Sequence, residues 1–481
     1  MKWLFLLPVA WLAGCAALPP GLPAGVQAEL ARAGVGADAL AAIALPLAGG
    51  RAWQYRADTP MQPASTMKLA TSIVALDRLG PDHRGRTDLL SDAPVVGGVL
   101  QGDLVLRGGA DPDLNLAQFW QMLDTLREDG IRGVAGDLVV DRSLFDPARP
   151  ELGVPPFDES PEFPYNVIPD ALQLDGSLLG LEIRADADGV HARAWPALDG
   201  IRVESRMTPT DTPCRRWDDD WKPATVTETG TEVTVVLNGG FPRDCLQRPV
   251  LQLVGRQRLV DAVFRTLWRG LGGTWAGRIR EGVTPADARV LATHESRPWG
   301  ELLRPMNKRS DNVLARLLFL QLGAAAGAGD GRATTTERAA AVERDWLAGH
   351  GIDATGLVLD NGSGLSRSER ITPRQLARML VVSQRGPLAP DLLMSLPIAG
   401  RDGTVRRRLK DSPAAGWARL KTGTLRNVVA IAGTVRDARG RPWVLVAMIN
   451  DEHALRARPA LDALVDWIAH SRSPAPAGEA P

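Results

Sequence analysis

Residues 63–72 read PASTMKLATS, with Ser65 and Lys68 three positions apart. The chain holds 56 lysines and arginines, yet only six of them are lysines, at 2, 68, 222, 308, 410 and 421. The helical spacing of Met67, Ala70, Ile73, Val74 and Leu76 predicts a helix from about Ser65 to the stop signal Gly80-Pro81. On it Ser65 and Lys68 share a face. A serine hydroxyl is a poor nucleophile unless a base takes its proton. A lysine can be that base when burial and nearby positive charge keep its amine neutral, whereas arginine stays protonated. Taken alone, the pair is a weak signal and reads better as a solvated lysine behind an N-cap serine.

Two further stretches change the balance. Ser310-Asp311-Asn312 stands at the head of a helix whose apolar positions include Val313, Leu314, Leu317 and Leu318, and by itself it is a plain N-cap. Lys421-Thr422-Gly423-Thr424 lies on a predicted strand, and by itself it is a strand end with a turn glycine. Together they make a site. An ammonium and two hydroxyls suit a substrate carboxylate, and Gly423 lets the strand approach a ligand closely. Ser-x-x-Lys, Ser-Asp-Asn and Lys-Thr-Gly in this order form the set found in class A β-lactamases and penicillin-binding proteins.

Spacing narrows the choice. Ser65 and Ser310 are 245 positions apart, more than a compact β-lactamase uses, and the interval is strand-rich. Here the chain resembles the DacB-like D-Ala-D-Ala carboxypeptidase/endopeptidases, which are low-molecular-mass penicillin-binding proteins. The segments GDLVLRGGADPDL, MNKRSDN, LDNGSGLSR and PIAGRDGTVRRRL…ARLKTGTL carry the resemblance. It runs from about 40 to 469 and is weak around 165–250. It implies an α/β (α+β) fold: a β-lactamase/transpeptidase-like domain, its antiparallel sheet flanked by helices, interrupted by a large insert. The expected division is 26–87 and 284–470 for that domain and 88–283 for the insert, as two subdomains.

The resemblance also implies roles. Ser65 is the acylated nucleophile, Lys68 its base, and Ser310 a proton relay to the leaving amine. Asn312 binds a substrate peptide group, while Lys421, Thr422, Gly423 and Thr424 frame the terminal carboxylate. The backbone N–H groups of Ser65 and Thr424 form the oxyanion hole. The implied partners are peptidoglycan stem peptides, with β-lactams as inhibitors, and no metal or cofactor. Asp158, Glu159 and Glu162 of the insert are candidates for reading the free amine of a stem peptide. A serine β-lactamase is the first rival, but the Glu-x-x-Leu-Asn element of class A enzymes is missing, and ERDWLAG (343–349) is the nearest approach. A non-catalytic peptidoglycan-binding lipoprotein is the second, and the intact Ser65, Lys68, Ser310 and Lys421 weigh against it.

The remaining features concern location. The opening MKWLFLLPVAWLAGCAALPPG has one basic residue, an apolar run and then small residues, as an export signal does. Leu12-Ala13-Gly14-Cys15 resembles a bacterial lipobox, so the expectation is a signal peptide at 1–14, a lipidated Cys15 and a tether at 15–25. Ala16 in place of aspartate points to the outer membrane, and hence to a periplasmic protein. Cys214 and Cys245 then form a candidate disulfide. Residues 471–481 read as a disordered tail. A net charge of zero favours neither nucleic acid nor anionic lipid. The six histidines, at 83, 191, 294, 350, 453 and 470, form no zinc or Ser-His-Asp pattern.

Overall fold

Alternation along the C-terminal strands places the main sheet. In the computed structural model, which describes residues 21–327 and 331–472, Val444, Val446 and Met448 of the strand Pro442–Asn450 face one buried layer. Trp443, Leu445, Ala447 and Ile449 face another. A strand buried on both sides reads as a continuous apolar run, which is what WVLVAMI is. The sheet has five antiparallel strands in the order Trp53–Tyr55, Leu40–Pro46, Pro442–Asn450, Val428–Arg436 and Arg419–Leu425. Helices Ala24–Ala33 and Arg458–His470 cover one face. Helices Lys68–Leu79, Trp299–Arg309, Asn312–Ala325, Thr335–Gly349 and Pro373–Arg385 cover the other. The strand with the Lys-Thr-Gly triplet therefore stands at an edge, its outer hydrogen-bonding side facing away from the sheet.

The nucleophile segment departs from the expected helix start. Ala64–Met67 form a 3-10 turn, and the α-helix begins at Lys68. Every residue from Lys68 to Leu76 is buried, so this helix runs through the middle of its layer. A helix surrounded on all sides must satisfy its polar groups inside the protein. Thr71 Oγ1 donates to the Gly362 carbonyl and Ser72 Oγ to that of Lys68.

Between Lys68–Leu79 and Trp299–Arg309 the chain leaves this domain. Arg86–Ser91 pairs antiparallel with Arg289–Glu295, so the excursion closes on itself at 295, beyond the expected limit of 283. The two matching pieces GDLVL and GDLVV become parallel neighbours, Leu104 opposite Leu138, joined by the crossover helix Leu116–Glu128. More strands follow from Leu179 to Leu251. Rather than two separately cored subdomains, both parts share one continuous cluster of buried side chains, from Leu89 and Phe119 through Leu181 and Val235 to Phe264. Cys214 and Cys245 are joined in a disulfide within it. The insert docks on the helix Asn312–Ala325. Arg316 Nη1 donates to the carbonyls of Asn166 and Val167, and Gln321 Nε2 to that of Ala110. Cys15, residues 1–20 and residues 473–481, which include most of the expected tail, lie outside the described residues.

Candidate active site

Three segments distant in sequence meet at Ser65. Its hydroxyl is partly exposed, whereas Lys68, one helical turn on, is fully buried. Lys68 Nζ donates to Ser65 Oγ at 3.0 Å, to Asn312 Oδ1 at 2.7 Å and to the Ser363 carbonyl at 2.5 Å. All three ammonium protons are thereby directed, and the one aimed at Ser65 lies on the line a proton would travel. Burial pulls the amine from its ordinary 10.5 down to about 7. Asp311 and Glu369 push it back up, and Arg316 pushes it further down. The amine thus titrates in the physiological range, which a general base requires.

Lys421 stands opposite, equally buried. Its Nζ donates to Ser310 Oγ at 2.9 Å and to the Thr422 carbonyl at 2.7 Å. Burial, and then the charge of Lys68, hold it well below its ordinary value. Two residues carry backbone strain at this junction: Ala64, just before the nucleophile, at φ 45°, and Ser310 at φ 63°. Ser310 differs from the expected helix start. It caps the C-terminus of Trp299–Arg309, and Asp311 is the N-cap of the next helix, accepting from the Leu314 N–H at 3.0 Å. The left-handed turn between the two helices aims the Ser310 hydroxyl at Lys421.

Asn312 is bound at both ends within the protein. Its Oδ1 accepts from Lys68, and its Nδ2 donates to the Tyr165 carbonyl of the insert at 3.1 Å. Thr422 Oγ1 donates to Thr404 Oγ1 at 2.7 Å, and Thr424 is exposed at the sheet edge. Gly423 has a different reason from the one expected. A Cβ there would lie 2.7 Å from the Pro63 carbonyl oxygen and 3.1 Å from the Ser65 nitrogen, so the close approach is to the nucleophile turn itself. Among the acidic candidates, Asp158 accepts from Tyr165 Oη and Asn166 Nδ2, Glu159 faces Arg426 at 3.7 Å, and Glu162 is buried. Among the described residues no cluster of side chains fits a metal ion.

The peptidase family described as D-Ala-D-Ala carboxypeptidase 3 (S13) matches residues 25–471. The chain belongs to this family. A D-alanyl-D-alanine carboxypeptidase of an Actinomadura species is 30% identical over 85% of this chain and 76% of its own. The D-alanyl-D-alanine carboxypeptidase DacB of Haemophilus influenzae is 28% identical over 82% of each. The crystal structure of penicillin binding protein 4 (dacB) from Haemophilus influenzae superposes with a TM-score of 0.77 at 25% identity, covering 90% of this chain and 96% of that one. The transpeptidase-like α/β fold is thus shared across nearly the whole S13 chain.

Several groups in this S13 peptidase were not legible from its sequence. Ser363 acts through its carbonyl, and Tyr165 likewise, so residue type gives no signal for either. Glu369 is fully buried; its Oε1 accepts from the N–H groups of Asn361 and Gly362 at 3.0 and 2.9 Å and so fixes the loop that carries Ser363. Burial raises Glu369 to about 6, and burial with the charge of Glu369 raises Glu343 to about 8. Glu343 is the glutamate of ERDWLAG, on the helix Thr335–Gly349. At neutral pH it is protonated, which leaves it unsuited to activating a water as a carboxylate base.

Proposed function

We propose that this chain is a penicillin-binding serine D-Ala-D-Ala carboxypeptidase acting on peptidoglycan stem peptides through an acyl-enzyme on Ser65. The observation that carries the reading is the 3.0 Å hydrogen bond from a buried, low-pKa Lys68 to Ser65 Oγ. Neutral Lys68 takes the Ser65 proton as Oγ attacks the carbonyl of the penultimate D-Ala. The oxyanion is held by the N–H groups of Ser65 and Thr424, an interaction often worth ~3 kcal/mol. The terminal carboxylate sits at Lys421, Thr422 and Thr424, and its negative charge favours the ammonium form of Lys421. Ser310, bonded to Lys421, passes a proton to the departing amine. D-Ala leaves, and water hydrolyses the ester to free Ser65. A β-lactam acylates the same hydroxyl.

Asn312 supports this reading as a spacer between Lys68 and the insert. The raised pKa of buried Glu343 weighs against the β-lactamase reading, since a protonated carboxyl does not activate water as a carboxylate base. Ser65→Ala should abolish both D-Ala release from pentapeptide muropeptides, followed by mass spectrometry, and labelling by fluorescent penicillin. Residual D-Ala release at the unmodified rate would overturn the acyl-enzyme. For location we infer a periplasmic lipoprotein, exported and then anchored through Cys15 to the outer membrane. Support comes from the apolar leader and Leu12-Ala13-Gly14-Cys15. Mass spectrometry of the mature N-terminus should find a diacylglyceryl-modified Cys15, and an unmodified N-terminus elsewhere would remove the anchor.

A further inference from the structure

Two fully buried glutamates take no step in the acyl transfer, Glu369 just after the loop 360–364 and Glu343 on the helix Thr335–Gly349. Glu369 Oε1 accepts from the N–H groups of Asp360, Asn361 and Gly362 at 3.4, 3.0 and 2.9 Å. The loop gripped in this way meets the nucleophile segment at three points. The Gly362 carbonyl accepts from Thr71 Oγ1 at 2.8 Å, and the Ser363 carbonyl accepts from Lys68 Nζ at 2.5 Å. Gly364 packs against the backbone of Ala64 and Ser65. One carboxylate oxygen thus holds in place the carbonyl that orients the general base.

The other three carboxyl oxygens are differently placed. Glu369 Oε2 and both oxygens of Glu343 are buried and accept no hydrogen bond from any described residue. Thr71 lies beside Glu343, but its one hydroxyl proton goes to the Gly362 carbonyl. Two ionised carboxylates there would lack donors to hold them. A single proton on the pair removes that cost. Burial, and then the charge of Glu369, raises Glu343 to about 8, whereas burial raises Glu369 to about 6. At neutral pH Glu343 is therefore the protonated member and Glu369 the charged one. Charges face this cluster from each element around it: Lys68 on the nucleophile helix, Arg316 on Asn312–Ala325, Arg344 next to Glu343, and Asp360 on the loop. Asp311 and Lys421 also face Lys68.

We propose that Glu369 is a positioning residue for the general base: it fixes the Ser363 carbonyl against Lys68, and its negative charge, left single by a protonated Glu343, sets the pH at which Lys68 gives up its proton. The inference rests on the acyl-transfer reading of Ser65. A carboxylate near the amine favours the ammonium form, so Glu369 raises the pH at which the free base appears. Burial of Lys68 acts in the opposite direction and is the larger effect. The carboxylate keeps Lys68 protonated enough to donate to Ser65, Asn312 and Ser363, while burial keeps the free amine within reach.

The test follows the rate of penicillin acylation against pH in the full chain, with circular dichroism to establish folding. Glu369→Gln keeps an acceptor oxygen for the loop and removes the charge. Its acid limb should move down by about one pH unit. Its plateau should fall by less than about tenfold, the scale of one weakened hydrogen bond. Glu369→Asp keeps the charge and shortens the reach by one methylene. Its acid limb should stay in place while the plateau falls by more than about tenfold, because the loop is drawn away from Lys68. Glu343→Gln exchanges one neutral group for another and should leave the limb where it is. Three outcomes overturn the proposal: a folded Glu369→Gln whose limb stays or moves up, a Glu369→Asp whose limb moves down, or a Glu343→Gln whose limb moves down. Should Glu369→Gln not fold, the other two variants decide it. Failure of the unmodified chain to bind penicillin would instead overturn the acyl-transfer reading, and the role of Glu369 with it.

Discussion

Lys68→Arg should slow penicillin acylation of Ser65 by about 10³-fold, within the range that a positioned general base contributes. The substitution keeps a positive charge and a good helix former. What it removes is the ability to be neutral, because a guanidinium stays protonated below pH ~12. Lys68 is wholly buried and donates to Ser65, Asn312 and Ser363, so the larger arginine also crowds its neighbours. Lys68→Met, close in volume and without an amine, separates the two effects. It should melt near the unmodified protein and lose acylation to a similar degree. The pH profile supplies a third reading of the same amine. With its pKa lowered from 10.5 to about 7, the base form is present above that pH and lost below it. Acylation should therefore rise through pH 7 and fall about tenfold per unit on the acid side. Normal labelling of the arginine variant, or a rate independent of pH between 5 and 8, would show that Lys68 is not the base.

Gly364→Ala should cost about 10²-fold in acylation although the substitution touches no substrate-binding side chain. Gly364 lies at φ +77°, and a Cβ there would be 1.8 Å from the Ala64 carbonyl oxygen and 2.8 Å from the Ser65 nitrogen. The left-handed conformation adds roughly 1–2 kcal/mol for any residue with a Cβ. The clash with backbone is the larger effect, because no rotamer relieves it. Either the loop withdraws, taking the Ser363 carbonyl from Lys68, or the turn Ala64–Met67 moves with its nucleophile. A displacement of about 1 Å at a reacting atom is enough for a hundredfold loss. Stopped-flow acylation by a reporter penicillin, with circular dichroism to establish folding, measures it. A folded variant that acylates at the normal rate would mean that the loop and the nucleophile turn are not in contact.

The two substitutions differ in how far sequence exposed them. Ser65, Lys68, Ser310, Asn312 and Lys421 were legible because their chemistry fixes residue type and spacing. The structure joins Ser65, Lys68 and Asn312 in one set of hydrogen bonds and Ser310 with Lys421 in another. Gly364 was legible only as part of the segment LDNGSGLSR, because its role comes from a backbone 300 positions earlier in the chain. Glu343 and Glu369 were invisible as a pair. Glutamates on a helix and a loop read as solvated, and only the fold buries them and raises their pKa values. The arginines of RDGTVRRRL looked like part of a family motif. Arg408 meets its partner, Asp462, only in the folded protein.

Sequence by itself determined the reaction type and the layered domain: three motifs point to an acyl-transfer site, and the near-continuous apolar runs VVAIAGTVR and WVLVAMI suit a sheet buried on both faces. Tertiary structure alone decided the rest. It placed the Lys-Thr-Gly strand at a sheet edge and set the insert against Asn312 through one backbone carbonyl. The physical reason is that side-chain chemistry is written locally. Burial, backbone contacts and the balance of charge across a cleft are sums over segments that only folding brings together.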